Sequence, residues 1–332
     1  MQNSSLGGAK LQDSSSTNAV RVDGFLYSSY VANIVFNGFL CYSTTVLNIA
    51  TIYALRKTVL IPKPLRILIL NLAISDLTVG VLGQPLYIAY LAGELRLKDP
   101  DPTTFIVSRL IWNILYLFSF CSILVLHADR FVAIHIPLRY NDIVTYKRTA
   151  IAVIAIWVFN ILLVSFSVLL TPPRSRISLI IFDVIILFCL LTSTWSSYKN
   201  YLTSRRHKMQ IQAQLQQVAL NTSGENLERL RKSTNSAFWI YSAFCICYLP
   251  NVFIEIVDAA YGYGSASIII HTLNIYLLTL MFLNSSLNPF IYCWKMRQVR
   301  HAMFGILQNI SRRWALSRET VISLITSSET AK

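Results

Sequence analysis

Charged residues are scarce in this sequence. Asp, Glu, Lys and Arg make up only 13% of its 332 residues, whereas soluble domains carry about 25%. Hydrophobic residues reach 54%, and the mean hydropathy is +0.52. This composition leaves too little polar surface to coat a water-soluble globule, so it indicates a protein whose solvent is the lipid bilayer.

Cysteine is missing from the places where a structural disulfide would be expected. All six cysteines fall within or beside long apolar stretches: Cys41, Cys121, Cys189, Cys245, Cys247 and Cys293. We therefore expect no structural disulfide, although the outer face of a membrane is oxidising. Nearby residues supply no further ligands to Cys245 and Cys247, and the five histidines are scattered. No transition-metal site is predicted.

Seven stretches are long and apolar enough to cross a bilayer, which requires about 20 mainly apolar residues. These stretches are 24–55, 67–93, 110–128, 149–173, 177–198, 233–254 and 259–294. Such a sequence predicts an all-α membrane protein, a seven-transmembrane helix bundle with a short amphipathic eighth helix. Residues 1–23 lack the apolar core of a cleavable signal peptide, so the first span is expected to direct insertion.

The basic residues indicate the orientation. With the N-terminus outside, 22 of the 29 lysines and arginines lie on the cytoplasmic side, hereafter the inner side; the outer ones are Lys10, Arg21, Arg96, Lys98, Arg109, Arg174 and Arg176. This is the positive-inside pattern of multi-pass proteins in the cell membrane. The net charge of +14 is then expected to face anionic lipid or a protein partner, and no nucleic-acid partner is predicted.

The predicted organisation has four parts. Residues 1–23 form an extracellular tail, in which Asn3 begins a glycosylation sequon, and residues 24–294 form the bundle. Residues 295–308 read as an amphipathic helix on the inner membrane surface. Residues 309–332 form a cytoplasmic tail whose Ser and Thr residues suit phosphorylation by receptor kinases and arrestin binding, although flexible tails are often Ser-rich without such a use.

One carboxylate interrupts an apolar span, where an ionisable group costs about 2.5–3.5 kcal/mol. This residue is Asp76, and other spans offer amides and hydroxyls at a similar depth: Asn48, Ser119, Asn284, Ser285 and Asn288. Oxygen groups of this kind can hold a small hard cation. They can equally form a hydrogen-bonded structural cluster or hold a proton, and the spacing alone favours the structural cluster.

Three spans contain proline: Pro85, Pro250 and Pro289. Each proline removes a backbone hydrogen bond and permits a kink, which is either a fixed helix shape or a hinge. Asp129 and Arg130 close the third span at its inner end, and the turn that follows displays Leu138.

These features together resemble the rhodopsin-like G protein-coupled receptors along all seven spans. The matching pieces are Asn48, Asn71 to Asp76, Asp129 to Leu138, Trp157, Phe244, Cys247 to Pro250, and Asn284 to Tyr292. The resemblance implies a receptor without catalytic activity that binds an extracellular ligand and activates a heterotrimeric G protein. Its coupling and switch residues would be Asp129, Arg130, Leu138, Tyr198, Phe244, Pro250, Asn288, Pro289 and Tyr292.

The resemblance also raises the cation interpretation of Asp76 above the structural one. It assigns an allosteric sodium site to Asp76, Ser119, Asn284, Ser285 and Asn288. Arg130 would leave Asp129 on activation, Leu138 would dock into the Gα subunit, and Tyr198 and Tyr292 would steady the open inner cavity.

The departures from the family pattern concern the outer half. Phe105 replaces the usual disulfide cysteine, the fifth span has no proline, and Tyr248 replaces a tryptophan, features similar to the branch with melanocortin, cannabinoid, lysolipid and adenosine receptors. Trp112 occupies the position of the aspartate of amine receptors, and Phe282 that of the retinal lysine of opsins. A biogenic amine and retinal are therefore disfavoured as ligands.

The outer half nevertheless offers a candidate ligand pocket of aromatic and polar side chains, whose ligand is a small molecule, lipid or peptide. Its residues are Gln84, Tyr87, Arg109, Trp112, Tyr116, Glu255, Asp258, His271 and Asn274. Several of these residues would otherwise be ordinary packing residues or interface anchors. Arg109 is a candidate partner for an acidic group of the ligand.

Two other functional classes fit a seven-span chain. An intramembrane enzyme with bound zinc would need clustered His, Asp or Cys ligands, and no such cluster is visible in the sequence. A transporter or channel would often show inverted repeats around a midplane site, and none is visible either.

Overall fold

The chain folds almost entirely into helices. In the computed structural model, residues 5–58, 61–97, 102–170, 176–215, 223–261, 268–305, 308–309 and 311–312 are described. The long helices are α1 (Ser5–Lys57), α2 (Lys63–Thr78), α3 (Gln84–Leu97), α4 (Pro102–His135), α6 (Tyr146–Leu170), α7 (Arg176–Leu215), α8 (Ser223–Tyr261) and α9 (Ile268–Lys295). A short α5 (Tyr140–Ile143) follows a 3₁₀ turn at Pro137–Arg139.

Six helical segments of the described chain are long and apolar enough to cross a membrane: Gly24–Lys57, Lys63–Arg96, Leu110–His135, Tyr146–Phe166, Phe238–Val257 and Ile269–Lys295. The predicted fifth span, 177–198, falls within α7, where many side chains, including those of 177–183, lie outside the described set. Together these helices agree with the predicted seven-helix bundle. α1 begins at Ser5, within the segment predicted as the outer tail.

The second span is not a continuous α-helix. α2 and α3 are joined by a π-helical turn at Val79–Gly83, immediately before Pro85. Here α2 and its neighbours approach closely, because a Cβ added at Gly80 would lie 2.8 Å from Thr45 Oγ1, and one at Gly83 would lie 2.9 Å from Leu115 Cδ1. Pi-helical turns of this kind often occur at functional sites. Pro250 and Pro289 lie inside α8 and α9.

Polar side chains connect the helices. Such hydrogen bonds matter because the hydrophobic effect does not drive helices together within lipid. Trp157 of α6 donates to Asn71 Oδ1 at 2.7 Å, and Asn71 donates to Ser122 Oγ of α4 at 2.7 Å. On the other side, Asn37 of α1 donates to Thr279 Oγ1 of α9 at 2.8 Å. These contacts fix how the spans pack, and therefore where the functional side chains lie.

The described residues of the core form two main hydrophobic clusters. The cluster toward the inner half includes Phe120, Phe244, Tyr248 and Tyr292, and the Phe244 and Tyr248 rings stack with centroids 3.9 Å apart. The outer cluster is built around Tyr87, Leu91 and Phe282. Residues 297–305, within the predicted amphipathic helix, are helical.

Candidate functional site

The inner end of α4 carries a buried ion pair between adjacent residues. Arg130 Nε donates to Asp129 Oδ2 at 2.8 Å, and its Nη2 also contacts this oxygen. Tyr140 of α5 donates to the other carboxylate oxygen, Asp129 Oδ1, at 2.9 Å. Burial and the neighbouring Asp129 carboxylate raise the pKa of the Tyr140 hydroxyl. Asp129, Arg130 and Tyr140 thus form a closed cluster, which we call the inner ion-pair cluster.

Leu138 lies just beyond this cluster and is almost fully exposed. It occupies the 3₁₀ turn between α4 and α5, and 96% of its surface is accessible. An apolar side chain so exposed next to a buried arginine is available to a partner protein. The docking role that the resemblance implies for Leu138 stays a prediction.

The remaining predicted switch residues lie in α7, α8 and α9. Phe244 and Tyr292 are buried, and Phe244 also contacts Phe120 of α4 edge-on at 5.1 Å between centroids. Tyr198 differs, because 60% of its surface is exposed outside the protein core. The two tyrosines predicted to steady an open cavity therefore have different environments in this conformation.

Asp76 is fully buried among the residues predicted to form the sodium site. Asn288 of α9 donates to its Oδ2 at 2.8 Å, and Ser119, Asn284 and Ser285 are also buried. Asn48 of α1, which the sequence places at the same depth, instead donates to the Ser285 carbonyl oxygen at 3.1 Å.

The residues around Asp76 fit a small hard cation. Within the described residues, Asp76 Oδ1, Asn284 Oδ1 and Asn288 Oδ1 have no hydrogen-bond partner. Buried polar atoms are normally satisfied, and three oxygens of this type match the ligand preference of hard cations. The sequence prediction of a polar cluster here agrees with the geometry; the bound ion stays a prediction.

The predicted ligand-pocket residues form separate groups. Tyr87 and Trp112 meet edge-on with centroids 5.6 Å apart, and Tyr116 contacts Tyr248 at 4.9 Å. Elsewhere, Asn251 donates to Glu255 Oε1 at 2.9 Å.

Two further residues of the predicted pocket differ in their polar contacts: His271 has a hydrogen-bond partner, and Gln84 has none among the described residues. His271 Nε2 lies 2.8 Å from the Tyr30 hydroxyl. Gln84 is completely buried, and neither end of its amide has a partner among the described residues. Asn274 is partly buried, and the side chains of Arg109 and Asp258 lie outside the described set.

Sequence reasoning missed three contributors to these sites. Tyr140 looked like part of a turn, yet it binds Asp129. His127 was one of five scattered histidines, yet it is buried in the bundle. Thr279 carries the contact between α1 and α9. Only His127 gave a signal, because an ionisable residue inside a span predicts a functional site by default.

Comparison with known proteins identifies the family. Residues 47–292 match the family described as 7 transmembrane receptor (rhodopsin family). This match covers well over half of the 332 residues, so the chain belongs to the rhodopsin family of seven-transmembrane receptors and is a multi-pass membrane protein. The prediction from the motifs is confirmed, and the enzyme, transporter and channel alternatives are set aside.

Individual relatives are distant. The chain is 24% identical to adenosine receptor A2a from Equus caballus and 25% identical to that from Homo sapiens, each over 275 residues, 73% of this chain. A match of 32% to 5-hydroxytryptamine receptor 1E from Pan troglodytes covers 121 residues, 36% of this chain and 32% of that receptor. The chain spans 63% of the length of the adenosine receptors it matches.

Proposed function

We propose that this rhodopsin-family receptor binds an extracellular ligand and activates a heterotrimeric G protein by opening its inner face. The observation that carries the proposal is the inner ion-pair cluster beside Leu138. Arg130 is buried and paired with Asp129, while the neighbouring Leu138 is 96% exposed. This arrangement suits a receptor whose partner binds only after a conformational change. The exposed leucine is available to the partner, whereas the arginine is held by its ion pair until the inner face opens.

The mechanism is a shift between two arrangements of the inner face. In the resting arrangement, Asp129 and Tyr140 occupy the donors of Arg130. Ligand binding favours the arrangement in which Arg130 is released to the G protein. The size of this shift is set by the difference between the ligand's affinities for the two arrangements. Pro250 and Pro289 lie inside α8 and α9, where each removes a backbone hydrogen bond and permits the helix to bend.

The proposed orientation follows the charge distribution. Placing the N-terminus outside puts 22 of the 29 basic residues on the inner side, in agreement with the positive-inside rule. The inner ion-pair cluster and Leu138 then face the cytoplasm. Asn3 and the Ser- and Thr-rich tail, the proposed glycosylation and kinase or arrestin sites, lie outside the described residues.

A sodium ion at Asp76 is the proposed allosteric modulator of the resting arrangement. Asp76, Asn284 and Asn288 each bring a buried oxygen without a partner in the described chain. When bound, the ion supplies a charge that neutralises Asp76. Asn288 already binds Asp76 and lies next to Pro289, so an ion at this site acts beside the position at which α9 is able to bend.

The ligand itself is not assigned by the relatives. Adenosine and 5-hydroxytryptamine appear in the names of two of them. Trp112 at the position of the amine-binding aspartate argues against an amine. We propose a ligand that contacts aromatic rings, with Trp112 and Tyr116 as the first candidates, because both are partly exposed in the outer half.

The test is the substitution Arg130→Ala in the full-length receptor. Ligand-independent and ligand-evoked nucleotide exchange should both fall to background across a panel of Gα subunits, because the substitution removes the guanidinium that the proposed mechanism releases to the G protein. Surface expression should be retained. Ligands would come from a screen with cAMP and calcium readouts.

The matched control is Arg56→Ala, which removes an exposed arginine at the inner end of α1 and should leave exchange unchanged. If Arg130→Ala retains exchange at wild-type surface expression, the proposed mechanism is wrong.

A further inference from the structure

His127 is a buried ionisable group that the proposed mechanism does not use. It lies in α4, one helical turn before Arg130, and only 1% of its surface is exposed. Polar side chains inside a membrane span are rare and usually face the interior of the bundle. A residue of this type therefore calls for a structural account of its partners.

His127 connects α4 to α7 and α8. Its Nδ1 lies 3.1 Å from Ser197 Oγ of α7. Its ring meets the Tyr241 ring of α8 edge-on, with centroids 5.2 Å apart and planes at 78°. Tyr241 in turn donates to the Leu190 carbonyl oxygen of α7 at 3.2 Å and is hydrogen-bonded to Thr194. We call His127, Thr194, Ser197 and Tyr241 the His127 junction.

The face of α7 that meets α4 is polar over about two turns. Ser193, Ser197 and Asn200 are all buried, at spacings that place them on one side of the helix. The imidazole ring of His127 therefore lies between the polar face of α7, which it contacts at Ser197, and the Tyr241 ring of α8. Moving α8 away from α4 breaks the contact between the His127 and Tyr241 rings.

We propose that His127 is a positioning residue that holds the inner halves of α7 and α8 against α4 and so stabilises the resting arrangement of the receptor. This inference rests on the proposed function and names a regulatory contact for it. The inner ion-pair cluster closes the end of α4, whereas the His127 junction holds the neighbouring helices together one turn deeper. Activation, as proposed above, releases Arg130 from the first contact, and separation of α8 from α4 breaks the contact between the His127 and Tyr241 rings.

Removing the hydrogen bond at His127 should shift the conformational equilibrium by roughly 3- to 10-fold, the range expected for one interhelical hydrogen bond. His127→Leu removes the polar contact and keeps an apolar side chain. His127→Asn restores a polar group near the position of Nδ1. Ser197→Ala removes the same hydrogen bond from the other helix, so it tests the contact even when a variant of His127 fails to fold.

The experiment uses full-length receptor with 5-fluorotryptophan in lipid nanodiscs. Trp239 reports on the inner part of α8, because its ring lies 5.2 Å from that of Trp294 in α9; its ¹⁹F resonance is assigned with Trp239→Phe. Basal nucleotide exchange is measured on the same samples. His127→Leu and Ser197→Ala should move the Trp239 resonance toward a second state and raise basal exchange. His127→Asn, which keeps the polar contact with Ser197 but loses the ring contact with Tyr241, should cause a smaller change than His127→Leu.

The control is Ser193→Ala, the same substitution one turn away on the same buried face of α7, which should change neither readout. If the Trp239 resonance stays in place in His127→Leu and Ser197→Ala, the positioning role is wrong, whatever the exchange rate. The role is equally wrong if His127→Asn behaves like His127→Leu, because the ring would then act through packing alone. A shifted resonance without a change in exchange supports the junction and counts against G protein coupling instead.

Discussion

The inner and outer halves of the bundle are held together by different kinds of contact. In the inner half, buried polar groups are shared between helices: Tyr140 of α5 binds the Asp129–Arg130 ion pair of α4, and His127 lies where α4, α7 and α8 meet. In the outer half, aromatic packing is prominent: Tyr87 and Tyr90 both meet Trp112 edge-on, and Tyr30 is hydrogen-bonded to His271.

This difference suits different roles for the two halves, a conformational switch in the inner half and ligand binding in the outer half. Directional polar contacts shared by several helices favour two distinct arrangements, because a partly broken buried network is costly. Packing between aromatic rings is less directional, so it can be rearranged without breaking a buried polar network, which suits an outer half that accommodates the proposed ligand. Substitutions in the inner half should therefore change signalling, whereas those in the outer half should change stability locally.

The largest effect is expected from Asp129→Asn. The substitution keeps the shape of the side chain but removes the charge that holds Arg130 in the buried pair, and removal of one partner from such a pair is strongly destabilising. The resting arrangement loses this contact, so basal nucleotide exchange should rise at least ~10-fold, equivalent to about 1.4 kcal/mol. Exchange assays on receptor in nanodiscs measure this rise.

Asp142→Asn serves as the control, because Asp142 is exposed in the short helix α5 and should leave exchange unchanged. Equal basal exchange in Asp129→Asn and wild type would show that the ion pair does not restrain the inner face.

A smaller effect is expected from sodium. If Na⁺ is bound at Asp76, replacing choline chloride with NaCl should raise thermal stability by about 1.4 kcal/mol when free Na⁺ is tenfold above its dissociation constant. Asp76→Asn should abolish the difference between the two salts, because it removes the charged ligand. Melting curves in both salts at equal ionic strength measure it. A sodium effect that persists in Asp76→Asn would place the ion elsewhere.

The smallest effect is expected in the outer half, from Tyr30→Phe. It removes the hydrogen bond to His271 and should lower the free energy of unfolding by about 0.5–1 kcal/mol without changing basal exchange. Tyr27→Phe, at an exposed position one turn earlier in α1, is the matched control in thermal melts. A rise in basal exchange in Tyr30→Phe would contradict the expectation that only contacts of the inner half control signalling.

Much of the fold was accessible from the sequence because the bilayer imposes a length and a composition on each span. The apolar runs located the helices, and Pro250 and Pro289 lie inside α8 and α9 without ending them. The π-helical turn at Val79–Gly83 was not predicted. It depends on how closely Gly80 and Gly83 approach α1 and α4, which no property of the second span alone reveals.

The candidate site residues divide in the same way, into those that local sequence predicts and those that depend on how the chain packs. Asp129 and Arg130 are adjacent in the chain, and Asp76 is conspicuous because a carboxylate in lipid is costly, so local sequence identified them. Tyr140 was missed because its contact depends on the path of the turn after α4. The predicted ligand pocket was a set of residues at one depth, and the structure divides it into separate groups.

The sequence by itself determined that this protein spans the membrane, which residues are too polar for lipid, and which motifs it shares with the rhodopsin family. These properties depend on the transfer of individual side chains from water to hydrocarbon, which is a local quantity. Only the tertiary structure decided the partners of those polar residues: Asn288 for Asp76, Tyr140 for Asp129, and Ser197 with Tyr241 for His127. Partner choice depends on how helices distant in the chain pack against each other, and packing is a property of the whole bundle.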